Sequence, residues 1–289
     1  MPSERDRSDT DRQSPSPDTS PSDASPVRWH VEEGVGHIVM NRPGAANALD
    51  LRTGVALAEA IARIAAADVG AVLISSTGRQ FCAGGDIGEF VQNRDRLDAL
   101  VTEMLAALHP AMRRLAGLRC PVVSAVQGAV GGAGIALALC ADIVLASTAM
   151  KLRGGYSAIG LSPDLGTSYY LARRAGAARA KYVLMTNRAI PADTCLQWGL
   201  VDELHEPDAL AAAAGTLARE LAAGARASLS GIKRLCDGAG DHGLAAHLDL
   251  EREQLLRRTV SADAAEGVQA FIDKRAPVFR DRSAPPDHG

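Results

Sequence analysis

Three stretches of the chain hold residues whose types and spacing could do chemistry. Two are glycine-rich: "FCAGGDI" at 81–87 and "QGAVGGAGIALA" at 127–138, each directly after an apolar run that reads as a strand. Glycine at a strand end lets the backbone approach a ligand closely and take unusual angles, so that N–H groups aim outward. A helix start after the second loop adds its own N–H groups. Together such loops could build an oxyanion hole, in which hydrogen bonds stabilise charge on a carbonyl oxygen. Taken singly, each is equally a tight turn that needs small residues. Phosphate binding is the weaker reading, because G-x-x-x-x-G-K-[ST] is absent and the first loop lacks G-x-G-x-x-G. The third stretch, "SAIGLSPDLGTSYYLARR" at 157–174, places one acid, Asp164, after a proline. Ser162, Pro163 and Asp164 suit N-cap, N1 and N2 of a helix running toward Gly176. Asp164 equally suits a general acid/base, and the two roles pull its pKa apart: a helix start lowers it, burial raises it.

Alternating strands and helices must position these loops. "VRWHVEEGVGHIVMNRP" predicts a hairpin about Gly34, and "LDLRTGVALAEAIARIAAA" carries apolar residues at helical spacing. "GAVLISST" reads as a buried strand ahead of the first glycine loop, with a helical segment following through "LVTEMLAALHPAMRRLAGL". "PVVSAV", the second glycine loop, the short helix "IALALCA" and the strand "DIVLAS" come next. This alternation implies an α/β fold with crossovers. Beyond Leu204 the pattern turns helical, over 209–223, 225–237 and 244–259, and then a last helix introduced by "DAAE", where Asp263 and Glu266 fit a capping box. Helices of this kind, lacking a core of their own, pack on the body or on a neighbouring subunit.

Composition bounds the function. The 289 residues, 47% hydrophobic and 22% charged, suffice for one large core. A net charge of -3 argues against a general grip on nucleic acid. Five cysteines without paired spacing read as reduced thiols rather than a disulfide framework or zinc site, and no metal is expected. The apolar run from Pro121 to Ala146 is broken by Gln127, glycines and Asp142, which excludes a membrane span. Residues 1–26, rich in Ser, Pro and Asp, read as a disordered tail without the features of a secretory or transit peptide, which places the protein in the cytoplasm.

"MNRPGAANALD", "FCAGGDI", "VQGAVGGAGIALALCADIVLAS", "IGLSPDLGTSYYLARRAG", "PADTCLQWGLVDEL" and "FIDKRAPVF" occur in an order and spacing that resemble the enoyl-CoA hydratase/isomerase family, the crotonase superfamily, from about Trp29 to Arg280. The resemblance implies a crotonase-like spiral of ββα units over 27–208, a C-terminal helical trimerisation region over 209–283, and a short tail at 284–289. It implies a homotrimer or homohexamer acting on a coenzyme A thioester, with no cofactor beyond the coenzyme A carried by the substrate. The oxyanion donors would be the N–H groups of Gly85 and Ala133. Hydratases of the family carry two glutamates at positions matching Ala136 and Tyr156, neither of which can activate water and shuttle its proton. An isomerase subset uses an aspartate matching Asp164, and the segment is most similar to the ring 1,2-epoxyphenylacetyl-CoA isomerase group. Asp164 would then move a proton between two carbons of an enolate. Other enolate chemistry (decarboxylation, hydrolysis, ring formation) and a catalytically idle subunit of the same fold are the alternatives.

Further substrate contacts follow from the same resemblance. The backbone of the "NRP" loop, with Arg42 and Ala46, would contact the adenine region, although Gly44 stands where the family often has a lysine. Lys274 matches a lysine that reaches coenzyme A phosphate, and otherwise reads as a solvated helix-end residue. Asp86 and Ile87 end the first loop and Phe90 follows it, as further candidate contacts; Asp86 also suits loop stabilisation through neighbouring N–H groups. Phe90, Met104 and Leu108 suit either a pocket wall or core packing, and Tyr156 either a pocket wall or a phenol that orients a polar group.

Overall fold

The structure is a computed structural model describing residues 24–280; the expected terminal tails at 1–26 and 284–289 lie all but entirely outside the described residues. In chain order the elements are β1 (Val27–Glu32), β2 (Val35–Met40), α1 (Leu51–Ala66), β3 (Ala71–Ser76), α2 (Ile87–Gln92), α3 (Leu97–Ala116), β4 (Val122–Val126), β5 (Ala129–Gly131), α4 (Ala133–Leu139) and β6 (Ile143–Ser147). Then come β7 (Lys151–Arg153), α5 (Thr167–Ala175), α6 (Ala177–Thr186), β8 (Ile190–Pro191), α7 (Ala192–Gln197), β9 (Glu203–His205), α8 (Leu210–Ala222), α9 (Arg226–Gly238), α10 (Leu244–Thr259) and α11 (Ala262–Asp273).

Six strands form one sheet in the order β1-β2-β3-β4-β6-β9, antiparallel only between β1 and β2. A second sheet, β5-β7-β8, is made of short strands, the first of them inside the second glycine stretch. Period-two alternation explains why β3, β4 and β6 read as continuous apolar runs: both faces are covered. Val72, Ile74, Val122 and Val144 point into the main core shared with α1, α3 and α4. Ala71, Leu73, Val123, Ala125 and Leu145 point to the opposite face, where Leu210, Ala214, Ala218 and Ala222 of α8 close over them. Helix α8 is therefore part of the central body, so the expected helical region from 209 divides, with only the helices after α8 available for contacts elsewhere. The burial that locks the sheet also raises the thiols of Cys82, Cys140 and Cys195 to about 11, 12 and 12, which keeps them protonated. All five cysteines are unpaired.

Two helix starts differ from expectation. α5 begins at Thr167 with Gly166 as its N-cap, so Ser162, Pro163 and Asp164 precede the helix instead of opening it. The cause is a left-handed pair, Leu165 at φ +51° and Gly166 at φ +92°, which turns the chain while the Leu165 side chain is buried. α11 is capped by Ser261, whose Oγ accepts from the Ala264 N–H, rather than by Asp263. Glu266 does not reach back; it pairs with Arg275 and accepts from the Val278 N–H. Among the described residues no helix is long and apolar enough to cross a membrane.

Candidate active site

The two glycine loops meet backbone to backbone. Leu49 donates to the Gly84 carbonyl at 2.8 Å and accepts from the Asp86 N–H at 2.9 Å, a parallel bridge that leaves the intervening Gly85 N–H facing the other way. Cys82 bridges Val130, its carbonyl accepting from the Gly131 N–H at 3.0 Å. Side chains have no room here: a Cβ on Gly134 would lie 2.3 Å from the Cys82 carbonyl oxygen, and one on Gly84, at φ +98°, 2.8 Å from that of Gly131. Ala133 is the first residue of α4, where N–H groups have no intrahelical partner. Neither the Gly85 nor the Ala133 N–H meets an acceptor among the described residues. The two expected donors thus stand on abutting loops, both unspent.

Asp164 is half-buried beside them. The Tyr156 hydroxyl donates to its Oδ1 at 2.5 Å and lies 3.1 Å from the Thr167 Oγ1, which in turn reaches the Gly132 carbonyl at 3.3 Å. Tyr156 opens a 3-10 turn at Tyr156–Ile159, held by Gly155 at φ +86°, and its ring lies 3.9 Å from where a Cβ on Gly132 would be. Burial pushes the Asp164 carboxyl above the ordinary aspartate value; the Tyr156 hydrogen bond and the charge of His109 on α3 pull back less strongly. Burial and the adjacent carboxylate push the Tyr156 phenol far upward, so it stays protonated and acts as a donor. Asp164, free of the helix start, therefore has its pKa set chiefly by burial.

The remaining expected contacts divide. Arg42 pairs with Asp50, the N-cap of α1, and with Asp86, the N-cap of α2, each at 3.0 Å. The side chains of Arg42 and Asp86 are thus committed to each other and to helix starts. Ala46 and Asn47 both adopt left-handed angles, and Asn47 is wholly buried, donating to the Thr77 and Gln80 carbonyls and accepting from the Arg42 N–H. Ile87 is exposed at the start of α2, while the Phe90 ring covers Gly85. Met104 and Leu108 are buried in the main core, with Ala136. Lys274 ends α11 at φ +53° and makes no hydrogen bond or ion pair with either glycine loop. Behind Tyr156, a cavity of about 400 Å³ opens between Leu161, Pro163, Ala180, Leu184 and Met185. Thr167, Asn47 and His109 were not foreseen; a threonine three residues after an aspartate or an asparagine in a loop is too common a pattern to single out.

Among the described residues one group could hold a metal, His30, Glu32 and His37 on the first hairpin. The two imidazoles stack 4.3 Å apart with planes 4° from parallel, so their in-plane lone pairs do not converge.

The chain matches the enoyl-CoA hydratase/isomerase family over residues 30–282 and belongs to it. It is 36% identical over 252 residues to the 1,2-epoxyphenylacetyl-CoA isomerase of Escherichia coli strain K12, covering 86% of this chain and 96% of that protein. It is 31% identical over 263 residues to the trans-2-decenoyl-[acyl-carrier-protein] isomerase of Streptococcus mutans, covering 89% and 98%. The crystal structure of an enoyl-CoA hydratase from Polaromonas sp. JS666 superposes with a TM-score of 0.82 at 31% identity, over 88% of this chain and 99% of that one. The expected crotonase-like α/β fold is borne out. Hydratases and isomerases both stand among these relatives, so the reaction must be argued from the site.

Proposed function

We propose that this chain is an isomerase of coenzyme A thioesters, with Asp164 as its single acid/base and the N–H groups of Gly85 and Ala133 as its oxyanion hole. The observation that carries the reading is the Tyr156–Asp164 hydrogen bond of 2.5 Å beside the Gly132–Ala133 peptide. Tyr156 stands where family hydratases hold a glutamate, and here it serves a different carboxylate. Hydrogen bonds from the two N–H groups stabilise negative charge on the thioester oxygen, which lowers the cost of removing an α or γ proton. Ionised Asp164 takes that proton from one carbon and returns it to another, so the double bond or ring moves and the base is regenerated. Charge balances at each stage: the carboxylate is neutralised as the enolate forms, and the reverse follows. The coenzyme A of the substrate is the one cofactor needed. Apolar side chains left open on the last helices, including Leu244, Leu255, Val268 and Phe271, suit assembly into a trimer or hexamer.

The test is Asp164→Asn, which retains size and an acceptor for Tyr156 but cannot take a proton. Turnover of a 3-enoyl-CoA should fall about 100-fold or more. Exchange of a substrate α or γ proton in D2O should cease, and acyl-CoA binding should hold. The folded site raises the carboxyl pKa, so the ionised group opposes folding at neutral pH, and Asn should not lower Tm. Near-normal turnover by the variant, or robust hydration of crotonyl-CoA by the wild type, would overturn the proposal.

A further inference from the structure

We infer that Thr167 is a positioning residue that ties the acid/base pair to the oxyanion hole, through the peptide that joins Gly132 to Ala133. The inference deepens the function proposed above and rests on it. A peptide unit is rigid, so the carbonyl of Gly132 and the N–H of Ala133 turn together. Thr167 Oγ1 lies 3.3 Å from that carbonyl and 3.1 Å from Tyr156 Oη, and the residue is fully buried. The Tyr156 proton is placed on Asp164, so toward Thr167 both the phenol and the carbonyl present lone pairs. The one hydroxyl proton of Thr167 is divided between these two acceptors. Whichever it meets, the site gains. Donated to Gly132, it fixes and polarises the peptide whose other side offers the Ala133 N–H; donated to Tyr156, it strengthens the phenol as donor to ionised Asp164. Valine in its place would fill the space and supply neither bond. The Gly132 carbonyl would retain the Ile135 N–H at 3.0 Å, so α4 would keep its first turn.

The experiment compares Thr167→Val and Thr167→Ser with wild type on a 3-enoyl-CoA, with Thr167→Ala beside them should the valine variant not fold. For valine or alanine we expect kcat to fall about tenfold, the net worth of a lost hydrogen bond, with acyl-CoA affinity within about twofold. Among the described residues the titratable and charged groups facing Asp164 are Tyr156 from the 3-10 turn and His109 from α3. Weakening the Tyr156 donor disfavours the carboxylate, so the acid limb of the pH–rate profile should move to higher pH. Serine should restore both kcat and the limb. An unchanged kcat and limb in the valine or alanine variant would overturn the inference, as would a serine variant no better than these. Asp164→Asn run in parallel separates the two readings. If it retains turnover, the assignment of the base fails; if it is inactive while the threonine variants match wild type, only the Thr167 link fails.

Discussion

Replacing Tyr156 by phenylalanine removes one oxygen and with it the 2.5 Å hydrogen bond to Asp164. The ring keeps its place against Gly132, since it is buried and packed there irrespective of the hydroxyl. Burial already lifts the Asp164 pKa, and the phenol is the largest of the influences that lower it. A hydrogen bond to a charged group is worth about 1.5–3 kcal/mol, which converts to roughly a 10- to 150-fold change in the ionisation equilibrium. The sign is fixed. Without the donor the carboxyl protonates at higher pH, so kcat/KM at the acid end falls by up to that factor. At a pH high enough to ionise the variant the loss disappears, because a less stabilised carboxylate is the stronger base. Initial rates on a 3-enoyl-CoA across pH, with Tm checked at each point, separate a moved limb from a lowered plateau. A plateau reduced about 100-fold with the limb in place would refute the reasoning and make the phenol itself the proton carrier.

Gly84→Ala should cost both fold and function. Its φ of +98° is costly for any side chain, and the added Cβ would meet the Gly131 carbonyl at 2.8 Å, so a loss of about 1–3 kcal/mol is expected in denaturant unfolding, and a native-like stability would contradict the required contact between the loops. Light scattering at micromolar concentration should give a trimer or hexamer mass, and Phe271→Asp, at a side chain 86% exposed in the single chain, should shift it toward monomer; a monomeric wild type would refute the assembly.

The alternating elements were legible because their physics is local. The strand runs of β3, β4 and β6, the hairpin about Gly34 and the span of α10 follow from apolar period and turn residues, and each stands within a residue or two of its expected place. The role of α8 was not legible: an Ala-rich amphipathic helix looks the same whether its stripe meets this sheet or another subunit. Lateral contacts of the site were equally hidden. The Arg42–Asp86 pair spans 44 residues of sequence and the Thr167–Gly132 bond 35, and no periodicity encodes such meetings.

The boundary of α5 shows how a small backbone detail sets the surroundings of Asp164. Proline before aspartate is a good helix opening, and had Asp164 occupied N2 its carboxylate would have faced unpaired N–H groups, which favour the ionised form and weaken a base. The left-handed turn at Leu165 and Gly166 defers the helix to Thr167. The Thr167 N–H then goes to the Asp164 carbonyl at 2.9 Å, not to its carboxylate. The side chain is left to Tyr156 and to burial, and the upward shift wins. A glycine at 166 is what permits this, since φ +92° is strained for any side chain. On the proposed function, the residue that leaves Asp164 usable as a base is two positions away and carries no functional group.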